Sequence, residues 1–271
     1  MRNFERLIIG ADAAGIGAAC SARSRNTLLV DRGIVCGHDF TAAYKAYPLA
    51  YAERPSAEGS ELLYGLRKAN LICGGKVSVP AASGVLAGLL LKSGCRVMFM
   101  TEVVGIEYSG GAYRVTLFSN DGFETVHAAE IIDVTAQGTL HDGAGKVRID
   151  RYCNALLTRL LETKEPRPSD FYTLYNCRFP SEYVYGIRVL DGEEYGGARR
   201  RLHETWRAHH KGALRGFEFA ALASEFMYAF PDAGKDGYSA KISERRIWHP
   251  SPSHGDLLSA FEGGARLCRR K

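Results

Sequence analysis

The sequence carries seven cysteines but no Cys-x-x-Cys pair and no framework spacing. Scattered, odd-numbered cysteines read as reduced thiols of a cytoplasmic protein and argue against a disulfide-stapled scaffold. No Cys-x-x-Cys pair accompanies the histidines at zinc-site spacing, so no metal is expected. Long apolar runs are missing as well. The stretch Gly84–Leu91 is far shorter than the roughly 20 residues of a membrane span. The first apolar stretch is broken by Gly10, Asp12 and Gly15, so it reads as strand, turn and helix rather than a signal peptide. There is no internal repeat and no low-complexity tract. Charge of one sign is scarce: the net charge is +5, and the basic clusters at Arg199–Arg201 and at Arg266, Arg269, Arg270 and Lys271 come without a nucleic-acid motif. Nucleic acid and membrane are therefore not expected partners.

What is present is an ordinary globular composition, 46% hydrophobic and 24% charged over 271 residues. Such a chain makes one large domain or two closely joined ones. Leu7–Ile9 reads as a strand, Ala13 to about Ser24 as a helix, and Thr27–Val30 as a second strand ending at Asp31. A β-α-β unit this compact forces a parallel strand pair. Residues 33–60 read as loop with short helical pieces. Glu61–Ala69 and Val79–Leu91 have helical spacing. A strand-rich block follows, with Asn120-Asp121-Gly122 as a hairpin turn and an apolar strand ending in a polar turn at 135–138. Beyond residue 150 several strands are expected before Glu194–His210 and Phe217–Met227, both read as helices, and a last helix from about Asp256.

The stretch "LIIGADAAGIGAA" places a glycine turn between the first strand and helix. In a dinucleotide site the first glycine makes the turn, the middle one admits the pyrophosphate and the third lets helix and strand pack closely. Gly10 and Gly15 are the outer glycines, and Ala11, Asp12, Ala13 and Ala14 lie between them. The free N–H groups of the helix start attract phosphate, and a strand-end acid, here Asp31, takes the ribose. Asp12 stands at the middle position. A carboxylate about 4 Å from a phosphate charge costs roughly 4 kcal/mol at an effective dielectric of 20. The helix dipole returns only about 0.3–1 kcal/mol. Asp12 must therefore turn away, be protonated or be matched by a cation. Alternatively it caps the helix and occupies the anion site itself.

These residues resemble the FAD-dependent oxidoreductases of the glutathione-reductase-like fold, in the group with one FAD domain and an inserted substrate domain. "LIIGADAAGIGAACSARSRNTLLVDRG" is similar to the family's N-terminal motif, and "GCRVMFMTEVVGI" to the strand pair whose backbone at Val103 meets the adenine. "EIIDVTAQG" resembles its second motif, with Asp133, Thr135 and Gly138 matching and Ala136 replacing a glycine. "ERRIW" is like a late arginine-rich strand, and "SHGDLLSAFEGGA" resembles the closing motif, whose helix start at Asp256 points to the flavin. The resemblance implies an α/β fold: a Rossmann-like FAD-binding domain with a parallel sheet and a β-meander, plus a smaller α+β substrate domain. The first would span 1–150 and 240–271, the second 151–239. Gly10, Ala11, Asp12, Ala13, Ala14, Gly15, Asp31, Arg32, Val103, Thr135, Ala136, Gly138 and Asp256 would surround FAD.

The same resemblance brings Cys36 and His38 toward the flavin, and His254 near the closing motif. Cys36 lacks the second nearby cysteine of a redox dithiol. Of Arg245 and Arg246, adjacent on a strand, one must face inward, and an inward arginine near a flavin suits an acidic substrate. Tyr172, Tyr175, Tyr183 and Tyr185 either line a pocket or pack in a core. Two functions stay open at this level. One is a FAD-dependent oxidoreductase taking a hydride from a small organic substrate, since the cofactor would carry the hydride step itself. The other is a relative that keeps the fold, binds no FAD and serves as a binding or structural protein.

Overall fold

The computed structural model describes residues 2–50, 55–140, 147–160 and 169–269. The chain opens with β1 (Arg2–Ile9), α1 (Ala13–Ala22) and β2 (Thr27–Val30). Then come α2 (His38–Thr41), α3 (Ala57–Lys68), β3 (Ile72–Cys73), β4 (Lys76–Val77), α4 (Val79–Lys92) and β5 (Arg96–Met98). The meander is β6 (Glu102–Ser109), β7 (Ala112–Ser119) and β8 (Gly122–Asp133). A second group holds β9 (Asp150–Arg159), β10 (Thr173–Asn176), β11 (Glu182–Arg188), α5 (Tyr195–His209), β12 (Phe217–Leu222) and β13 (Met227–Ala229). β14 (Ala240–Ser243), β15 (Arg246–Trp248) and α6 (Leu257–Arg269) close the chain.

The larger sheet runs β14-β15-β8-β1-β2-β5, with β6 and β7 joined to β8 as the meander. β1 pairs in parallel with β2 on one side and β8 on the other. The hydrophobic runs of these strands explain the arrangement: Leu7, Ile8, Leu28, Leu29 and Val30 are at most 1% exposed, as in strands buried on both faces. The smaller sheet has the order β10-β11-β9-β12, with β13 also on β9. Its strands lie between 150 and 229, and those of the larger sheet between 2 and 133 and from 240 to 248. Gly122, in the left-handed region at φ 95°, makes the expected hairpin turn. β8 then continues without interruption into the second motif.

α1 is buried nearly all round because its residues are small. A Cβ at Gly17 would meet the Phe261 carbonyl oxygen at 1.9 Å, and one at Gly264 would meet the Ala14 oxygen at 1.7 Å. α6 therefore lies against α1 at backbone distance. One expectation fails here: Phe217–Met227 is not a helix but β12, a loop and the start of β13. Phe217 is buried and Glu218 exposed, a period-two alternation, and the stretch pairs with β9. Tyr172, Tyr183 and Tyr185 are core residues between the smaller sheet and α5, while Tyr175 stacks on Tyr47.

Candidate active site

The carboxyl ends of β1, β2 and β8 open into a cleft of about 280 Å³. Strand order reverses at β1, and crevices at such switch points are where open α/β sheets bind ligands. Gly10, Asp12, Asp31, Arg32, His38, Val103, Thr135, Ala136 and Gly138 all line this cleft. Glu225 and Phe226, from the loop between β12 and β13, and Tyr228 of β13 line it too. Ala11, Ala13, Ala14 and Gly15 lie just beneath, fully buried as the turn's backbone support.

The turn is built as the sequence requires. Gly10 takes φ 107°, which other residues rarely adopt. A Cβ at Gly15 would stand 2.0 Å from the Gly10 oxygen, so only glycine lets α1 start here. Asp31 Oδ2 accepts from the Ala11 amide at 2.6 Å, and Oδ1 from the Gly33 amide at 2.6 Å. The strand-end acid thus fastens the glycine turn to its own loop.

Asp12 occupies the N-cap position but makes no side-chain cap bond. Its carboxylate turns away from the helix amides toward His38, whose Nε2 lies 2.9 Å from Asp12 Oδ1. The same nitrogen lies 3.4 Å from Asp31 Oδ2. His38 thus bridges the middle position of the glycine turn and the strand-end acid. Of the escapes open to Asp12, two are taken: the carboxylate has turned away, and a cation matches it.

The amides that Asp12 leaves are filled from elsewhere. The Ala13 amide donates to Asp39 Oδ1 at 3.2 Å, and the Ala14 amide to Ser251 Oγ at 3.0 Å. The Ser251 hydroxyl donates in turn to Asp39 Oδ2 at 2.5 Å. The Gly37 amide donates to the Ala11 oxygen at 2.7 Å and pins the segment in place. The anion at the start of α1 is therefore Asp39, 26 residues from Ala13 in the chain.

Charge follows this geometry. Burial works against a charged His38, but the Asp12 carboxylate, with help from Asp31, raises its pKa to about 12. The ring is an imidazolium at neutral pH. Burial opposes ionisation of Asp31 too, yet its bonds with His38 and the two amides hold its pKa below the usual value. Burial and the neighbouring Asp12 push Asp39 up to about 7.

The second motif is an Asp-centred turn. Asp133 Oδ1 accepts from the Thr135 amide at 3.0 Å and hydroxyl at 2.7 Å, and Oδ2 from the Thr139 amide at 2.5 Å. Trp248 Nε1 donates to the Thr135 oxygen at 2.8 Å. In the closing motif Asp256 caps α6, accepting from the Leu258 amide at 3.0 Å and the Ser259 amide at 3.1 Å. Asp256 lines a second cavity of about 1010 Å³, apart from the glycine turn. Lys45, which lines the same cavity, is 3% exposed, and its Nζ donates to the oxygens of Pro252 at 2.6 Å and His254 at 2.7 Å. Burial lowers its pKa to about 8.

The weaker candidates separate. His38 enters the cleft. Cys36 is 4% exposed in the core, and burial raises its thiol to about 11, which leaves it inert. Arg245 is exposed and donates to the Gly111 oxygen; the inward arginine is Arg246, 7% exposed and bonded to the Thr139 oxygen. His254 is 1% exposed, and its Nε2 meets that of His249 at 2.9 Å. Burial, then His249, lowers its pKa to about 3, so this ring is neutral. Among the described residues no cluster of three metal-ligating side chains occurs. Asp39, Ser251 and Lys45 escaped sequence reading, though an acid next to His38 in an apolar stretch was the available signal.

A dinucleotide fits this site in one half only. The strand-end acid, Val103 and the turn after Asp133 line open space. The amides at the start of α1, where a pyrophosphate would have to sit, are taken by Asp39 and Ser251, with His38 beside them. The sequence matches no curated protein. Among solved structures, the fold is similar to p-nitrophenol 4-monooxygenase PnpA from Pseudomonas putida DLL-E4, at TM-score 0.64 and 11% identity over 99% of this chain and 78% of that one. L-proline dehydrogenase from P.horikoshii gives 0.62 and 12%, over 99% and 93%. Aklavinone-11 hydroxylase, solved with FAD and aklavinone, gives 0.57 and 11%, over 99% and 62%. A family model described as FAD dependent oxidoreductase matches residues 6–151, more than half of the chain and all of the glycine turn, strand-end acid and Asp133 turn. The chain belongs to that family, the FAD dependent oxidoreductases, whose cofactor is FAD.

Proposed function

We propose that the protein is an oxidoreductase that takes a hydride from a small organic substrate with FAD as acceptor. The observation that carries this reading is the gathering of Gly10, Asp31, Val103 and the Asp133 turn around one cleft at the sheet's switch point. FAD would supply the hydride acceptor, and the chain would orient it. Asp31 would hold the ribose and the Val103 backbone the adenine. The smaller sheet, with residues 151–239, would serve as the substrate domain.

The second cavity is the better candidate for the substrate. It is lined by Tyr47, Phe230, Lys235 and the α6 start, and its mixed polar and aromatic wall suits a small organic molecule. No described helix is long and apolar enough to cross a membrane. The cytoplasmic location in this reading rests on the scattered, odd-numbered cysteines of the sequence.

Purified protein tests the reading by its colour and by FAD titration. A yellow preparation releasing FAD, or saturable uptake of added FAD, upholds it. A folded protein that stays colourless and takes up no FAD, even with Asp39 and His38 replaced, overturns it. The chain would then be a relative that kept the fold without the cofactor.

A further inference from the structure

The start of α1 offers its amides to an anion, and the protein answers with its own. Ala13 donates to Asp39, and Ala14 reaches the same carboxylate through Ser251. His38 meanwhile lies 2.9 Å from Asp12 and 3.4 Å from Asp31, across the line a dinucleotide would follow from pyrophosphate to ribose. We propose that the segment carrying His38 and Asp39 is an internal occupant of the pyrophosphate seat, and that a dinucleotide binds only by displacing it. This rests on the reading of the cleft as a FAD site.

Three observations support the assignment. First, Asp39 is 6% exposed and Ser251 fully buried, so these bonds belong to the interior and do not arise from a loose surface loop. Second, the segment is fastened to the glycine turn at Ala11, Asp12 and Ala13 in succession. Third, charge disfavours coexistence. Asp12 and Asp31 already flank His38, and a pyrophosphate beside Asp39 and Asp12 would add like charge to a buried site. Displacement would pivot at Gly37, at φ 67°, just before α2, a single short turn, and would break the Gly37 amide bond to the Ala11 oxygen. Rotation there would carry His38 and Asp39 off the glycine turn together.

The test uses the full chain and two probes, FAD and ADP, the latter holding only the adenosine and the pyrophosphate. Two variants are compared with the wild type: Asp39→Asn, and the combined Asp12→Gly, His38→Gly, Asp39→Ala, which removes the occupant and the charges it balances. Binding is followed by calorimetry, and folding by circular dichroism. The expected result is ADP binding at least tenfold tighter in the combined variant and severalfold tighter in Asp39→Asn. If the combined variant is folded and binds ADP no better than wild type, the proposal is overturned. If it does not fold, Asp39→Asn decides by the same criterion. Tight FAD binding by the wild type that neither variant improves also overturns it, while the oxidoreductase reading stands. Variants that gain ADP but not FAD uphold the proposal and overturn that reading.

Discussion

The Asp39 carboxylate accepts the Ala13 amide at 3.2 Å, and Asp12, which precedes that amide, faces His38 instead. Asp39, on α2, therefore does the work at the start of α1 that the sequence suggests for Asp12. Asp12 becomes the buried half of an ion pair whose other half, His38, is partly exposed to the cleft.

Removing His38 leaves Asp12 and Asp31, both buried, facing each other without a cation. His38→Asn is expected to lower stability by about 1–3 kcal/mol, below the range for a fully buried pair because the His38 ring is partly exposed. Adding Asp12→Gly should restore part of the loss, and a denaturant double-mutant cycle measures the coupling. The His38 pKa is raised from 6.5 to about 12. Its stabilisation is thus complete below pH 6.5 and declines as pH rises toward 12. The cost of His38→Asn should be smaller at pH 9.5 than at pH 6.

Asp39 is raised from 3.8 to about 7, with Asp12, His38, Lys45 and Ser251 around it. A raised pKa means a contribution complete below about pH 3.8 and lost as pH rises through 7. Asp39→Asn lacks that loss. Its stability relative to wild type should improve between pH 4 and pH 8, read from thermal melts at both values. An unchanged difference would refute the buried carboxylate.

The α1–α6 contact depends on two glycines. Gly264→Ala brings a Cβ against the Ala14 oxygen, and is expected to cost about 1–3 kcal/mol or to prevent folding. Gly88, within α4, has open space around it, so Gly88→Ala should be neutral or stabilising by up to about 1 kcal/mol. Urea denaturation of both gives the comparison.

Cys73 is exposed, while Cys20, Cys36, Cys153 and Cys177 are buried with raised thiol pKa values. Native protein should react with a thiol reagent fastest at Cys73, and at those four only on unfolding. Early loss of the Cys36 thiol, followed by mass spectrometry, would mean that the loop beside His38 opens readily.

Much of the fold was legible because it rests on local signals. The glycine turn, the strand-end Asp31 and the Asn120-Asp121-Gly122 hairpin each state their geometry within a few residues. The stretch Phe217–Met227 contains helix formers, and pairing with β9 is what makes Phe217–Leu222 extended. The candidate site was legible where it lies on strand ends and illegible where chain-distant residues meet. Ser251 reaches Asp39 across 212 residues, and no spacing rule encodes that. Asp12 was seen to be in conflict with phosphate, but its partner His38 could be identified only once the loop was folded back on the turn.

The most direct test of the occupied seat is the pH titration of the Ala13 and Ala14 amide resonances. In the wild type both are expected to move with an apparent pKa near 7, that of the carboxyl they face, and to lie flat in Asp39→Asn. Amides that ignore Asp39→Asn and respond instead to Asp12→Asn would contradict the arrangement and return the helix start to Asp12.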